Sequence, residues 1–189
     1  MDDLKKAIGG MERRKYATRY QAGDKALAEL MTAREAFTAR GVDADLEYGP
    51  DSNSPPDIVA RVGSYRWGVE VTELVSRAAI EVNITAKTEG GRVYAVWTAE
   101  KIASELQTRI AEKDGATNVA GGRYDRYVLV IHTDEPDIDE PKLLRALEHL
   151  IVPTQLVQEC WLMFYRAGSE GRHVVLPVRV EHALGKGGA

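Results

Sequence analysis

The sequence predicts an α/β fold in which a central mixed sheet is flanked by helices. Residues 24 to 40 repeat apolar side chains at helical spacing, and a second helical pattern follows Thr98. Between these helices, residues 55 to 74 contain two short strand patterns that meet at Gly63-Ser64. Residues 127 to 131 form a continuous apolar run, which is typical of a central strand buried on both faces.

The composition indicates a soluble globular protein. Of its 189 residues, 44% are hydrophobic and 29% are charged, so we expect a single domain over residues 1 to 189. The net charge of −4 argues against wholesale coating of nucleic acid, although a local basic groove remains compatible with it. The lone Cys160 cannot form an internal disulfide and is expected to be a buried structural thiol.

The sequence also predicts the cellular location of the protein. It contains no apolar stretch long enough to span a membrane and no apolar segment typical of a secretory signal. We therefore expect a cytoplasmic protein with no membrane partner.

Two common kinds of site are not indicated by the sequence. The histidines are not paired with the cysteine at zinc-ligand spacing, and no Gly-x-Ser-x-Gly elbow indicates a serine hydrolase.

Residues 1 to 22 are predicted to be a basic N-terminal helical extension. Two tyrosines alternate with its positive charges, in the order Arg13, Arg14, Lys15, Tyr16, Arg19 and Tyr20. A solvated helix face is the favoured interpretation, and contact with phosphates is the alternative.

The core is predicted to span residues 24 to 133. Asp24 is a suitable cap for the first helix, Gly41 is a suitable stop, and a strand is expected over residues 43 to 48. Ile80, Val82 and Ile84 alternate like a strand, and a turn over residues 89 to 91 leads into residues 92 to 97, which predicts a second hairpin arm. An ordinary insertion is the favoured interpretation, and an exposed arm that contacts substrate is the alternative. In the helix after Thr98, the buried stripe is expected to consist of Ile102, Leu106 and Ile110.

A C-terminal helix and strands are expected over residues 141 to 180. Pro141 is suited to a helix start, after an acidic loop over residues 132 to 140, and Leu144, Leu147 and Ile151 are expected to form the buried side. Residues 160 to 165 predict another apolar strand. Residues 173 to 180 predict a last strand, and Pro177 within it indicates an edge strand.

The hairpin around Gly63-Ser64 specifies a register. Gly followed by a small polar residue suits a two-residue type II′ turn, in which directly opposed residues have Cβ atoms about 5 Å apart on one face. Asp57 then faces Glu70, while Trp67 and its alternate neighbours Val69 and Val71 face the core. Opposed like charges are unfavourable, so this pair requires a shared proton, a nearby cation or a bound metal ion.

Two alternatives to a functional carboxylate pair remain open. The acids could lie at a solvated sheet end, or the register could slip by one residue and send one acid to the opposite face.

The order helix, strand, two-stranded hairpin, helix, central strand is αβββαβ, and the sequence resembles the restriction-endonuclease-like PD-(D/E)XK nuclease superfamily. Pro56-Asp57 stands where that family has its PD pair, and Glu70-Val71-Thr72 stands where it has (D/E)XK. The resemblance covers roughly residues 24 to 133.

The resemblance implies a divalent metal site for Mg²⁺ or Mn²⁺. Asp57 and Glu70 are the implied ligands, and the main-chain carbonyl of Val71 is an implied third ligand. A glutamate from the first helix often joins in this family, and either Glu35 or Glu29 is a candidate. The metal would activate a water and stabilise the charge that develops on the phosphate.

The sequence departs from the family at its lysine, because position 72 is threonine. Thr72 occupies the position of a catalytic residue but cannot supply its positive charge. A group on the next helix is one replacement, with Lys101 and Gln107 as candidates, and Arg61 and Arg66 on the acid face are others. Otherwise the site is degenerate and the domain binds without cutting.

The sequence therefore predicts a divalent-metal-dependent nuclease that hydrolyses phosphodiester bonds of DNA or RNA. The alternative is a catalytically inactive nuclease-fold module that binds nucleic acid or a protein partner. A third hypothesis is an interaction protein whose contact surface is the basic N-terminal helix. Nucleases of this superfamily are commonly homodimers, so the resemblance also implies a homodimer.

Overall fold

The computed structural model describes residues 25–51, 54–76, 95–115, 119–165 and 173–183. The predictions for the basic extension over residues 1 to 22 and for most of the second hairpin arm fall outside these ranges. Within them, no helix is long and apolar enough to cross a membrane.

The order of elements agrees with the predicted αβββαβ core and its C-terminal additions. The helices are α1 (Lys25–Arg40), α2 (Ala99–Asp114) and α3 (Glu140–Leu147). The strands are β1 (Asp45–Tyr48), β2 (Ile58–Val62), β3 (Tyr65–Glu73), β4 (Arg126–Thr133), β5 (Ile151–Thr154), β6 (Glu159–Tyr165) and β7 (His173–His182). In chain order, α1-β1-β2-β3-α2-β4 is followed by α3-β5-β6-β7.

The seven strands form one mixed sheet in the order β1-β2-β3-β4-β6-β7-β5. The first three strands are antiparallel neighbours, whereas β3, β4 and β6 run parallel. Strand β7 is antiparallel to β6, and β5 is parallel to β7. The prediction of an α/β protein with a central mixed sheet flanked by helices is confirmed.

Helices cover both faces of this sheet. On one face, α1 packs Ala33, Ala36 and Phe37 against the alternate residues of β3 that begin at Trp67. On the other face lie α2 and α3, and the predicted α2 stripe of Ile102, Leu106 and Ile110 is fully buried. Strand β4 is buried on both sides from Tyr127 onward, which confirms its prediction as a central strand.

The helix caps follow from the local sequence. The Thr98 hydroxyl accepts a hydrogen bond from the Lys101 main-chain N–H (3.2 Å), as predicted for the start of α2. Asp139 does the same for Lys142 at the start of α3 (2.9 Å), with Pro141 in the first turn.

The predicted buried side of α3 is wrong for Leu144 and Ile151, whereas Leu147 is half-buried and packs against the core. Leu143 and Ala146 are buried, whereas Leu144 is 51% exposed. Ile151 is not helical but begins β5, because the helix ends at Leu147. The stripes that begin at 143 and at 144 have the same helical spacing, so periodicity could not choose between them; the docking of α3 against α2 does.

The prediction that the last strand is an edge strand is also wrong. Strand β7 lies between β6 and β5, and the true edge is β5, a strand that the sequence analysis missed. Strand β5 pairs with Arg179–His182, so Pro177 has a strand neighbour, β6, on one side only. At Pro177 itself β7 is therefore an edge, as the proline predicts, although the strand as a whole is not.

Candidate functional site

The hairpin of β2 and β3 has the predicted register. Gly63 has φ +59°, a value that favours glycine at the first turn position. The ladder continues to its last pair, Ile58 with Val69. Asp57 and Glu70 occupy the next step, immediately beyond the end of the ladder.

The side chain of Asp57 bonds to the main chain of β3 at the point where β2 stops pairing with it. Its Oδ2 accepts a hydrogen bond from the Val71 main-chain N–H at 2.9 Å. The N–H and C=O of one strand residue point towards the same neighbour, so the Val71 carbonyl also faces the Asp57 side. The carbonyl of Val71 is therefore on the same side of β3 as the Asp57 carboxylate.

Close backbone contacts hold Asp57 in this place. The Gly49 N–H donates to the Asp57 carbonyl (2.8 Å), and the Ala120 N–H donates to the Pro55 carbonyl (2.6 Å). A Cβ atom on Gly49 would lie 2.0 Å from the Pro56 carbonyl oxygen, so only glycine permits this approach. The bond between Pro55 and Pro56 is cis.

Glu70 is buried, with 2% of its surface exposed, and each carboxylate oxygen has a partner. Oε2 accepts from Lys113 Nζ at 2.5 Å, and Oε1 accepts from the Tyr127 hydroxyl at 3.3 Å. Burial, followed by repulsion from Asp57, raises the pKa of Glu70 to about 7, although Lys113 opposes this rise. Glu70 thus has both a nearby cation and an elevated pKa.

Lys113 comes from the last turn of α2, and the sequence analysis did not single it out. Burial alone would lower its pKa, but attraction to Glu70, Asp57 and Glu29 outweighs burial and raises the pKa. The signal was present in the sequence, because Lys113 follows Ile110 by three residues and therefore continues the buried stripe of α2.

The end of α2 is tied to the sheet beside Lys113. The next residue, Asp114, accepts hydrogen bonds from three successive main-chain N–H groups of Gln155, Leu156 and Val157, each at 2.8 Å. Charge-assisted bonds of this kind are stronger than neutral ones. They anchor the C-terminal end of α2 to the loop before β6, and so position Lys113 over Glu70.

The two candidate glutamates of α1 have different surroundings. Glu29 is 6% exposed, and burial followed by repulsion from Asp57 raises its pKa. Its carboxylate also pairs with Lys25 at 3.2 Å. Glu35 instead lies 3.2 Å from Nδ1 of His173 in β7. The structure therefore brings Glu29, rather than Glu35, into electrostatic contact with the acid pair.

The two α2 candidates lie elsewhere on the helix. Lys101 Nζ donates to the Val96 carbonyl (3.2 Å) and lies 4.6 Å from the centre of the Trp97 ring. It precedes Lys113 by twelve residues, which is about 18 Å along the helix axis. Gln107 lines a cavity with Arg145 and His149. Neither residue is brought to the acid pair by this packing.

The remaining sequence candidates have other contacts. Arg61 pairs with Glu47 at 3.2 Å. Arg66 donates to the Gly121 carbonyl at 2.7 Å and lies 4.4 Å from the centre of the Tyr124 ring, where it supports the loop before β4. Thr72 is half-buried in β3, opposite Ile131 of β4.

The atoms predicted as metal ligands are hard oxygen atoms, namely two carboxylates and a main-chain carbonyl. Such ligands are the type that Mg²⁺ and Mn²⁺ prefer. In the described part of the chain, no group of three or more His, Cys, Asp and Glu side chains is arranged to hold a metal ion. The Asp57–Glu70 pair would therefore depend on the Val71 carbonyl and on water to complete a coordination shell.

No protein-family model and no curated protein match this chain significantly. Among solved structures, the chain is similar to SfsA of Pyrococcus furiosus in complex with Ca²⁺, with 16% sequence identity and a TM-score of 0.32. The match covers 81% of this chain and 62% of that one.

Proposed function

We propose that this protein is a divalent-metal-dependent nuclease in which Lys113 replaces the lysine missing at position 72. The observation that carries this proposal is the 2.5 Å contact between Lys113 Nζ and Glu70 Oε2. It supplies a cation to the carboxylate pair from a different element of the fold. The proposed activity is hydrolysis of phosphodiester bonds in nucleic acid.

The proposed metal ligands are Asp57, Glu70 and the main-chain carbonyl of Val71. Their oxygen chemistry fits Mg²⁺ or Mn²⁺, which keep several waters and bind through one or two carboxylates plus substrate phosphate. When bound, the metal would lower the pKa of a coordinated water and stabilise negative charge on the phosphate. Glu29 would add negative charge to the site through its position beside Asp57.

In this proposal Asp57 and Lys113 have different roles. Asp57 is held rigidly by its bond to the Val71 N–H, so its second oxygen can be offered to a ligand without reorganisation. Lys113 carries a positive charge at neutral pH, because the surrounding carboxylates raise its pKa. A fixed ammonium group at this position is suited to orient a nucleophilic water and to stabilise developing charge on the phosphate.

A second candidate function is favoured by the same ion pair. Lys113 supplies a partner and a positive charge to one Glu70 oxygen without any metal ion. That arrangement also suits an inactive nuclease-fold module that binds nucleic acid or a protein partner without cleaving it.

Metal binding measured together with cleavage separates the two functions. Mn²⁺ is titrated by calorimetry into the wild type, Asp57→Asn and Glu70→Gln, and the same samples are incubated with end-labelled single- and double-stranded DNA and RNA. The nuclease proposal expects wild-type binding and cleavage, both lost in the two variants. Lys101→Met is the matched control and should behave as the wild type.

Two results would count against the nuclease. If the wild type binds no Mn²⁺, or if it binds Mn²⁺ but cleaves none of the four substrates, the binding module is the better description. The four substrates also distinguish DNA from RNA. Light scattering on the same preparation tests the homodimer that the family resemblance implies.

A further inference from the structure

The tyrosine that begins the buried part of β4 lies close to the acid pair. Tyr127 is the ladder partner of Gly68 in β3, and Glu70 follows Gly68 by two residues, which is about 6.6 Å along the strand. A Cβ atom on Gly68 would lie 2.8 Å from two ring atoms of Tyr127. The ring therefore occupies the space above Gly68, and from there its hydroxyl reaches Glu70.

The ring of Tyr127 is held on several sides. The Tyr124 ring packs edge-on against it, with 6.2 Å between the ring centres. The Tyr124 hydroxyl donates to the Ala120 carbonyl (2.8 Å), and Arg66 covers its ring. The Tyr127 main chain is also fixed, because its N–H donates to the Gln158 side-chain carbonyl at 2.8 Å.

The two donors to Glu70 act on different oxygens. The Tyr127 hydroxyl contacts Oε1 and Lys113 contacts Oε2, so together they define the plane of the carboxylate. The terminal torsion of a glutamate is otherwise broad and weakly restrained. Burial, followed by the negative charge of Glu70, raises the pKa of the Tyr127 phenol well above its usual range, so at neutral pH the phenol is protonated and donates a hydrogen bond to this oxygen.

We propose that Tyr127 is a positioning residue that sets the orientation of the Glu70 carboxylate for metal binding. This inference rests on the proposed function, because it assigns a purpose to the orientation of a proposed ligand. Partners that orient a metal ligand typically affect metal affinity or activity by 10- to 100-fold when they are removed.

The first test compares Tyr127→Phe with Tyr124→Phe. Each substitution removes one phenol oxygen from the same aromatic pair, but only Tyr127 donates to Glu70. In Tyr127→Phe we expect Mn²⁺ binding by calorimetry to weaken about tenfold. The Mn²⁺ concentration for half-maximal cleavage should rise in parallel, while the KM for nucleic acid stays unchanged and saturating Mn²⁺ restores kcat. Tyr124→Phe should keep the wild-type Mn²⁺ affinity.

The second test needs no metal and keeps the inference separate from the nuclease proposal. Urea unfolding midpoints are measured for Tyr127→Phe, Glu70→Gln and the double variant. If the phenol holds the carboxylate, the effects are non-additive, because Glu70→Gln already alters the group to which the phenol donates. Additive midpoint shifts, or unchanged Mn²⁺ affinity in Tyr127→Phe, would overturn the positioning role. A third result is a wild type that binds no Mn²⁺ but shows non-additive midpoints. It would reject the nuclease proposal and retain the Tyr127–Glu70 hydrogen bond. The role of that bond would then be structural, and the metal-positioning inference would also fail.

Discussion

Lys113 Nζ lies 2.5 Å from Glu70 Oε2, which joins the last turn of α2 to the middle of β3. This contact offsets part of the repulsion between two opposed carboxylates by placing a cation against one of them, although the pKa of Glu70 stays raised. It also offers a structural answer to the threonine at position 72, because a charge absent from the strand is present on the helix that packs over it.

Replacing Lys113 should separate cleavage from metal binding. In Lys113→Met we expect cleavage to fall at least about 100-fold, which is the scale of losing one preorganised charge-stabilising group. Mn²⁺ binding measured at pH 8.5 should persist, because both proposed carboxylate ligands remain. Lys101→Met and Gln107→Ala on the same helix serve as controls and should retain cleavage. If activity survives in Lys113→Met but disappears in one of the controls, the residue changed in that control supplies the catalytic group instead.

The elevated pKa of Glu70 predicts a pH-dependent stability. The folded-state pKa is about 7 against an ordinary value of 4.5, so the contribution of this group is fully present below pH 4.5 and is lost as the pH rises through 7. The shift corresponds to a free energy on the order of 3 kcal/mol. Between pH 4.5 and pH 8.5, the wild type should therefore lose stability relative to Glu70→Gln, as measured by urea unfolding of both proteins. Parallel pH profiles for the two proteins would show that Glu70 ionises normally.

The absence of a side chain at Gly68 should be essential to the packing around Glu70. A Cβ atom there would lie 2.8 Å from the Tyr127 ring and 3.2 Å from the Tyr124 ring. We expect Gly68→Ala to lower the free energy of unfolding by about 1–3 kcal/mol, the usual cost of overpacking. Gly115→Ala is the matched control, because its added Cβ would come no closer than 3.5 Å to any atom. Equal effects of the two substitutions on urea unfolding would contradict this account.

The two glutamates of α1 should differ in their influence on the metal site. Glu29 is buried within the field of Asp57, so Glu29→Gln removes a negative charge near the proposed ligands. We expect it to weaken Mn²⁺ binding several-fold in calorimetric titrations. Glu35→Gln, which alters the pair with His173 in β7, should leave the affinity unchanged. A reversed order of the two effects would identify Glu35 as the glutamate that joins the site.

Local rules were sufficient for most of the elements and for the hairpin register. Gly63 with positive φ and its two-residue turn determine which residues are opposed, and that decision needs no information from the rest of the chain. The stripe of α2 and the continuous apolar run of β4 are likewise periodic signals that survive in the folded protein. These features established the αβββαβ order and brought attention to Asp57 and Glu70.

Periodicity could not predict the buried face of α3, because two sets of residues in it have the same period. The residue stripes of α3 that begin at Leu143 and Leu144 are equally helical, and the docking of α3 on α2 selected the first. Strand β5 was missed because a four-residue segment containing Pro153 carries too little pattern, and its pairing with β7 is long-range.

The sequence by itself determined the hairpin, its register and the carboxylate pair, because a turn and a strand alternation act over a few residues. Only the tertiary structure decided which groups meet that pair. Lys113, Tyr127 and Glu29 reach it from two helices and a neighbouring strand, 41 to 57 residues from Glu70 along the chain. Their arrival depends on how α1 and α2 dock on opposite faces of the sheet, which is a sum of many packing contacts that no local pattern records.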